Sequence, residues 1–103
     1  MLGQLAREKP CLVQAALARR VPAVFATALY VGYGGLVSYG SDFYAEGFQA
    51  ARLVERILHG ARPRDVPVEG ADRIDLAVNL NTAARLGVVV PRNLLLRADT
   101  LRR

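Results

Sequence analysis

Gly34 to Gly60 reads GGLVSYGSDFYAEGFQAARLVERILHG, and its punctuation decides the fold class. Leu36 to Tyr39 is a short apolar run suited to a buried strand. Gly40, Ser41 and Asp42 form a tight polar turn, and a long amphipathic helix follows. Ser or Asp ahead of a helix offers an oxygen to the free N–H groups of its first turn. Tyr44, Gly47, Phe48, Ala51, Val54 and Leu58 recur at helical spacing along one side. Glu46, Gln49, Arg52, Arg56 and His59 line the other. Gly60, tolerant of the left-handed conformation, ends the helix. In open α/β sheets, ligands gather outside the carboxyl ends of strands, where such strand-to-helix turns lie.

Working outward, 103 residues leave room for a single domain with a modest core. The balance of 52% hydrophobic and 22% charged residues is that of a globular chain rather than a disordered one. Net charge is +5, and 13 of the 14 basic residues are Arg, which raises the question of an anionic partner. The arginines are scattered, paired only at Arg19–Arg20 and Arg102–Arg103, and no basic stripe is interleaved with aromatics. That is a weak footprint for nucleic acid, and none is expected as a partner.

Cys11 and His59 are the single residues of their kinds, too few for a closed zinc site or an internal disulfide. A catalytic Cys–His pair is conceivable, since Cys11 follows Pro10 near a helix start. The simpler expectation is a buried apolar cysteine and a histidine bonded to the last carbonyls of its helix. No catalytic residue, metal or cofactor is therefore expected, and the chain does not read as an enzyme.

Arg7, Glu8 and Lys9 interrupt any apolar core of a signal peptide, so the chain as it stands would remain cytoplasmic. Val21 to Ser41 carries no charge and follows Arg19–Arg20, which makes it a candidate membrane span. Pro22, four glycines and three tyrosines favour two short strands with a Gly-rich link instead.

Along the rest of the chain, residues 1–9 are expected to be poorly ordered or weakly helical, with Pro10 in the first turn of a helix over Cys11 to Arg20. Val21-Pro-Ala-Val-Phe-Ala reads as a short buried strand. In Thr27 to Gly35, GYGG matches neither phosphate-binding glycine motif and reads as a flexible turn. Ala61 to Gly70 is an irregular linker with two prolines. Ile74, Leu76, Val78 and Leu80 alternate with Asp75, Ala77 and Asn79, as in a half-buried strand. Asn81 is placed to cap a helix over Thr82 to Leu86 that Gly87 closes. Val88 to Pro91 is extended, and Leu94-Leu-Leu leads into a charged tail.

Assembled, these blocks resemble the C-terminal part of the extracytoplasmic substrate-binding proteins of ABC transporters, in the group that includes tryptophan- and tyrosine-type uptake systems. The resemblance rests on Ala18-Arg-Arg-Val-Pro-Ala-Val-Phe, on Gly34-Gly-Leu-Val-Ser-Tyr-Gly, and on Val54 to Gly60 followed by Pro63 and Asp65-Val-Pro-Val. It continues through Ile74-Asp-Leu-Ala-Val-Asn-Leu-Asn-Thr-Ala-Ala-Arg-Leu-Gly-Val-Val-Val-Pro and ends in Leu95-Leu-Arg-Ala-Asp. Five blocks in order over about residues 12 to 101 are far more specific than any one of them.

The resemblance implies an α/β architecture: part of a periplasmic-binding-protein-like lobe, with parallel strands and flanking helices. A full member has two lobes closing on a small solute, so the chain is expected to be the single partial domain of a longer clamp, without its first lobe, export signal and lipid-attachment cysteine. The implied partners are a small solute such as an amino acid and a transporter permease. By the same resemblance, Ser38, Tyr39, Gly40, Ser41 and Asp42 would offer hydroxyl and backbone donors to the solute. The start of the next helix would favour an anionic group, and Tyr39 and Tyr44 would stack on an apolar one. Core packing of the tyrosines and ordinary N-capping by the serines are open alternatives. Asn79 and Asn81 are expected as strand-end and cap residues rather than ligand contacts. A second reading is a small non-catalytic scaffold that self-associates through apolar faces and strand edges left by the missing lobe.

Overall fold

In the computed structural model, residues 2–103 are described, with side chains from Pro10 onward. The elements in order are α1 (Leu2–Ala18), β1 (Val24–Phe25), α2 (Ala28–Gly32), β2 (Val37–Ser41), α3 (Phe43–Leu58), a 3-10 turn (Pro63–Asp65), β3 (Ile74–Asn79), α4 (Leu80–Leu86), α5 (Arg92–Arg97) and β4 (Thr100–Arg102). The strands form one sheet in the order β1-β2-β3-β4. β1 runs parallel to β2, with Val24 opposite Val37 and Phe25 opposite Ser38. β3 runs parallel to β4, with Ala77 opposite Thr100 and Asn79 opposite Arg102. Between the pairs the direction reverses: the Asn79 N–H donates to the Leu36 carbonyl at 2.8 Å, and the Asp42 N–H to the Arg73 carbonyl at 3.2 Å. The expected α/β lobe, mostly parallel and flanked by helices, is what the chain forms.

Two compact units divide the chain, one of Met1–Gly40 with Asp75–Arg103 and one of Ser41–Ile74. The first holds the apolar core: Val13, Val31, Leu36, Leu76, Ala77, Val78 and Ala83 are all buried. Asn79 ties its centre together. Besides its backbone bond to Leu36, its Oδ1 accepts from the Thr82 N–H at 3.0 Å and its Nδ2 donates to the Val31 carbonyl at 3.4 Å. Thr82 Oγ1 donates to the Gly34 carbonyl at 2.8 Å. Buried polar groups are tolerated when bonded in this way.

The second unit is organised differently. Its buried side chain is a polar one, Gln49 at 7% exposure. Gln49 Nε2 donates to Glu69 Oε2 at 2.9 Å and to the Gly70 carbonyl at 2.8 Å, and its Oε1 accepts from the Asp72 N–H at 3.2 Å. Arg52 adds an ion pair to Asp72 at 3.1 Å, whose exposure leaves it weak. The side of α3 expected to be polar therefore supplies the inward residue. The apolar side lies open, with Tyr44 78%, Phe48 63%, Val54 53% and Leu58 80% exposed.

Several local expectations are corrected. α1 starts at Leu2 and runs through Pro10 rather than beginning there. Arg20 ends that helix at φ 53°, a left-handed conformation that costs a residue with a Cβ about 1 kcal/mol. Cys11 is exposed, not buried. The strand expected over Val21 to Ala26 shrinks to Val24–Phe25, with Val24 itself 72% exposed. The Gly-rich link contains a one-turn helix, α2, against which Phe25 stacks through Tyr30 at 4.7 Å between ring centroids. The short helix after β3 is capped by Asn79 rather than Asn81, because Asn79 Oδ1 is the atom within reach of the Thr82 N–H. The charged tail carries α5 and β4. Among the described residues no helix is long and apolar enough to cross a membrane, and 21–41 is divided among β1, α2 and β2. Gly87 at φ +71° and Gly60 at φ +108° close their helices as expected.

Two outcomes are expected. Gln49→Ala leaves the Gly70 carbonyl and the Asp72 N–H without a partner, so amide exchange in residues 69–72 should accelerate, with a loss of about 1–3 kcal/mol of local stability. Val78→Ala, at a fully enclosed position in β3, should instead destabilise the first unit by about 1–3 kcal/mol, read as a lowered urea midpoint at unchanged m.

Candidate functional site

Parallel pairing of β1 with β2 brings their carboxyl ends side by side, and the turn after each strand leaves from the same end of the first unit. The approach there is close: a Cβ added at Gly40 would fall on the Ala26 carbonyl. Only glycine lets the two backbones pass at this point.

Three of the six residues expected to meet a solute lie in this first unit. Ser38 is 1% exposed and points into the interior, while Tyr39, one residue on, is 62% exposed, as the alternation of a strand requires. Gly40 is the close-approach position. The other three, Ser41, Asp42 and Tyr44, belong to the second unit. Asp42 is the N-cap of α3: its Oδ1 accepts from the Tyr44 N–H at 2.9 Å and the Ala45 N–H at 3.3 Å. Its other oxygen sits 3.7 Å from Arg73 Nε. The helix start expected to favour an anionic group is thus already met by a carboxylate of its own chain. Tyr44 is 78% exposed and meets Phe48 edge-on at 5.1 Å, on the open side of α3. Phe43, Tyr44, Gly47, Phe48 and Ala51 outline a shallow apolar depression of about 360 Å³ there.

The first unit holds one residue that the sequence reading passed over. Thr27 stands in the turn after β1 and precedes α2, yet its side chain makes no capping bond. Its Oγ1 is buried and has no hydrogen-bond partner among the described residues. A buried hydroxyl left unbonded costs about 1–3 kcal/mol, which singles out this position at the strand ends. The signal available in the sequence was a hydroxyl residue directly after the Val24-Phe25-Ala26 run.

Asn79 stands at the end of its strand as expected and takes the capping place expected of Asn81, while Asn81 is exposed within α4. His59 Nδ1 lies 2.8 Å from the Glu55 carbonyl and donates to it at the end of α3. Among the described residues no three His, Cys, Asp or Glu side chains gather as metal ligands.

Comparison with known proteins bears on this arrangement. Residues 4–102 match the family described as ABC transporter substrate binding protein. A solved structure of a conserved domain protein from Vibrio cholerae O1 biovar El Tor is 32% identical with a TM-score of 0.86, over 97% of this chain and 34% of that one. The structure of an ABC domain in complex with L-Trp from Streptococcus pneumoniae is 26% identical with a TM-score of 0.79, over 89% of this chain and 32% of that one. A ligand-free, open substrate-binding protein with adhesive properties from Clostridium difficile shares the fold, at 24% identity and a TM-score of 0.63 over 95% of this chain. No curated protein sequence matches. The chain spans about a third of the length of each of these structures. With the family matched over nearly the whole chain and the α/β lobe reproduced in solved structures, the chain belongs to the ABC transporter substrate-binding protein family.

Proposed function

We propose that this chain forms part of the wall of a small-solute site in an extracytoplasmic binding protein. The solute is an amino acid or a close relative, held without chemistry and passed to the permease of an ABC importer. The observation that carries the reading is the match, over 89% of the chain, to a structure solved with L-Trp. On the first unit, the carboxyl ends of β1 and β2 offer what a small polar solute needs: the unbonded Thr27 hydroxyl and the open ring of Tyr39. In the second unit, the peptide groups of Ser41 and Asp42 and the ring of Tyr44 are the contribution expected of the turn and helix start. Capture then rests on hydrogen bonds and ring stacking that become complete only when the solute is enclosed.

A second reading, self-association of a ligand-free scaffold, is favoured by the open apolar side of α3, where Tyr44, Phe48 and Leu58 are each more than 60% exposed. Light scattering on the eluting protein separates the two readings. A monomer at high concentration removes self-association, and a concentration-dependent dimer lost in Phe48→Ser supports it.

For solute capture, isothermal titration of the chain joined to a lobe that completes the clamp should show micromolar-range binding of at least one amino acid. Thr27→Val should weaken that binding about fivefold, the worth of one neutral hydrogen bond, while leaving folding stability unchanged or raised because an unsatisfied hydroxyl is gone. Tyr39→Ala should weaken it by a similar factor through lost ring contact. An amino-acid panel that gives no heat in any member contradicts the proposal.

A further inference from the structure

Charge is segregated between the two units. The first carries nine Lys and Arg against three Asp and Glu, the second five against six. Every ion pair formed among the described residues that was noted above lies in the second unit, on Arg52 and Asp42, and Arg62 with Asp65 follows the same pattern at 3.6 Å. The first unit's described arginines form none with another described residue.

The topology gathers four of these arginines. β1 and β2 start together, with Val24 opposite Val37, and Arg19 and Arg20 stand just ahead of β1. Leu36, at the start of β2, accepts from Asn79 at the end of β3, and Asn79 lies opposite Arg102 at the end of β4. Arg19, Arg20, Arg102 and Arg103 therefore share one end of the sheet, opposite to the end where Thr27 and Gly40 lie. All four are exposed. Arg102 reaches over the end of α2, where a Cβ added at Gly32 would come 3.8 Å from its Nη2. Two large apolar side chains are exposed beside them, Val21 at 51% and Tyr33 at 52%. Arg20 also holds a left-handed backbone position where glycine would be unstrained, so the side chain is kept at a conformational cost.

We propose that this end of the first unit is a docking surface for an anionic phospholipid bilayer. Guanidinium forks pair with phosphodiester oxygens in two-point contacts that a lysine ammonium does not make, and the chain's cations are Arg in 13 cases of 14. Val21 and Tyr33 supply the apolar and amphipathic side chains that settle at the headgroup level. The chemistry suits lipid better than nucleic acid, for which no row of aromatics accompanies the basic residues. It suits lipid better than an acidic protein face because, among the described residues, no acid pairs with these arginines to set a register. The surface would hold the protein near the membrane independently of any solute.

Co-sedimentation with phosphatidylcholine vesicles, with and without phosphatidylglycerol, tests this. Binding is expected only with phosphatidylglycerol, and it should fall as salt is raised. Each arginine removed from the four should cost about fivefold in partition, so R102A/R103A loses roughly 25-fold. R20G relieves the backbone strain, so it should fold at least as stably as the parent and still bind vesicles about fivefold less. R56A/R64A, in the second unit, should bind as the parent does. Equal binding to neutral vesicles, no binding to either kind, or the same loss in R56A/R64A overturns the proposal. So does salt-sensitive binding to duplex DNA without binding to vesicles, which would assign the surface to nucleic acid.

Discussion

Where Gly40 passes Ala26, the backbones of β2 and β1 come so close that no side chain fits between them. That contact sets the register of the parallel pair, with Phe25 opposite Ser38, and so brings the turn after β1 beside the end of β2. It also fixes which residues can matter there. Ser38 turns inward, Tyr39 outward, and Thr27 is left with a buried oxygen that no described residue satisfies. An alanine at position 40 would push the strands apart, and overpacking of this kind costs about 1–3 kcal/mol. The candidate site exists because glycine stands at the one place where two strands meet without room for a methyl group.

The two units are stabilised by different physics. In the first, apolar side chains around Val78 exclude water and Asn79 satisfies the polar groups enclosed with them. In the second, one buried amide, Gln49, gathers Glu69, Gly70 and Asp72 against α3. Non-directional burial tolerates small changes of shape, whereas a bonded amide fails when any of its partners moves. The charge follows the same division: ion pairs join acids and bases within the second unit, and among the described residues none of them involves an arginine of the first.

Much of the fold was legible because local chemistry and tertiary context agree. The cap at Asp42, the stop at Gly60 and the closing Gly87 follow from backbone preferences that act within a few residues. The strand expected to end at Tyr39 runs through Gly40 to Ser41, and the strand expected to be half-buried is buried on both faces from Leu76 to Asn79 because elements pack on each side of it. The family was legible from the order of five blocks. What the sequence hid depends on distant partners. Nothing local marks Gln49 as the inward residue of α3, since its bonds reach residues 20 to 23 positions away. Helical periodicity located the apolar side correctly but carries no statement of what covers it. β4 was invisible because Thr100-Leu-Arg has no alternation of its own and is a strand only through its pairing with β3. The choice of Asn79 over Asn81 as the cap turns on a two-residue shift in where α4 begins, which sequence patterns do not resolve. Of the candidate site residues, Ser38 to Asp42 and Tyr44 came with the family resemblance and the strand-to-helix turn, and Thr27 was missed because a sequence does not show an unmade bond.

The central claim is that the carboxyl ends of β1 and β2 face a small solute. It is tested most directly by recording amide chemical shifts of the isotopically labelled protein during titration with L-tryptophan and other amino acids. The account expects saturable shifts confined to residues 26–27 and 38–44 for at least one solute. Shifts that are absent for every solute, or that fall elsewhere with those two segments unmoved, would contradict it.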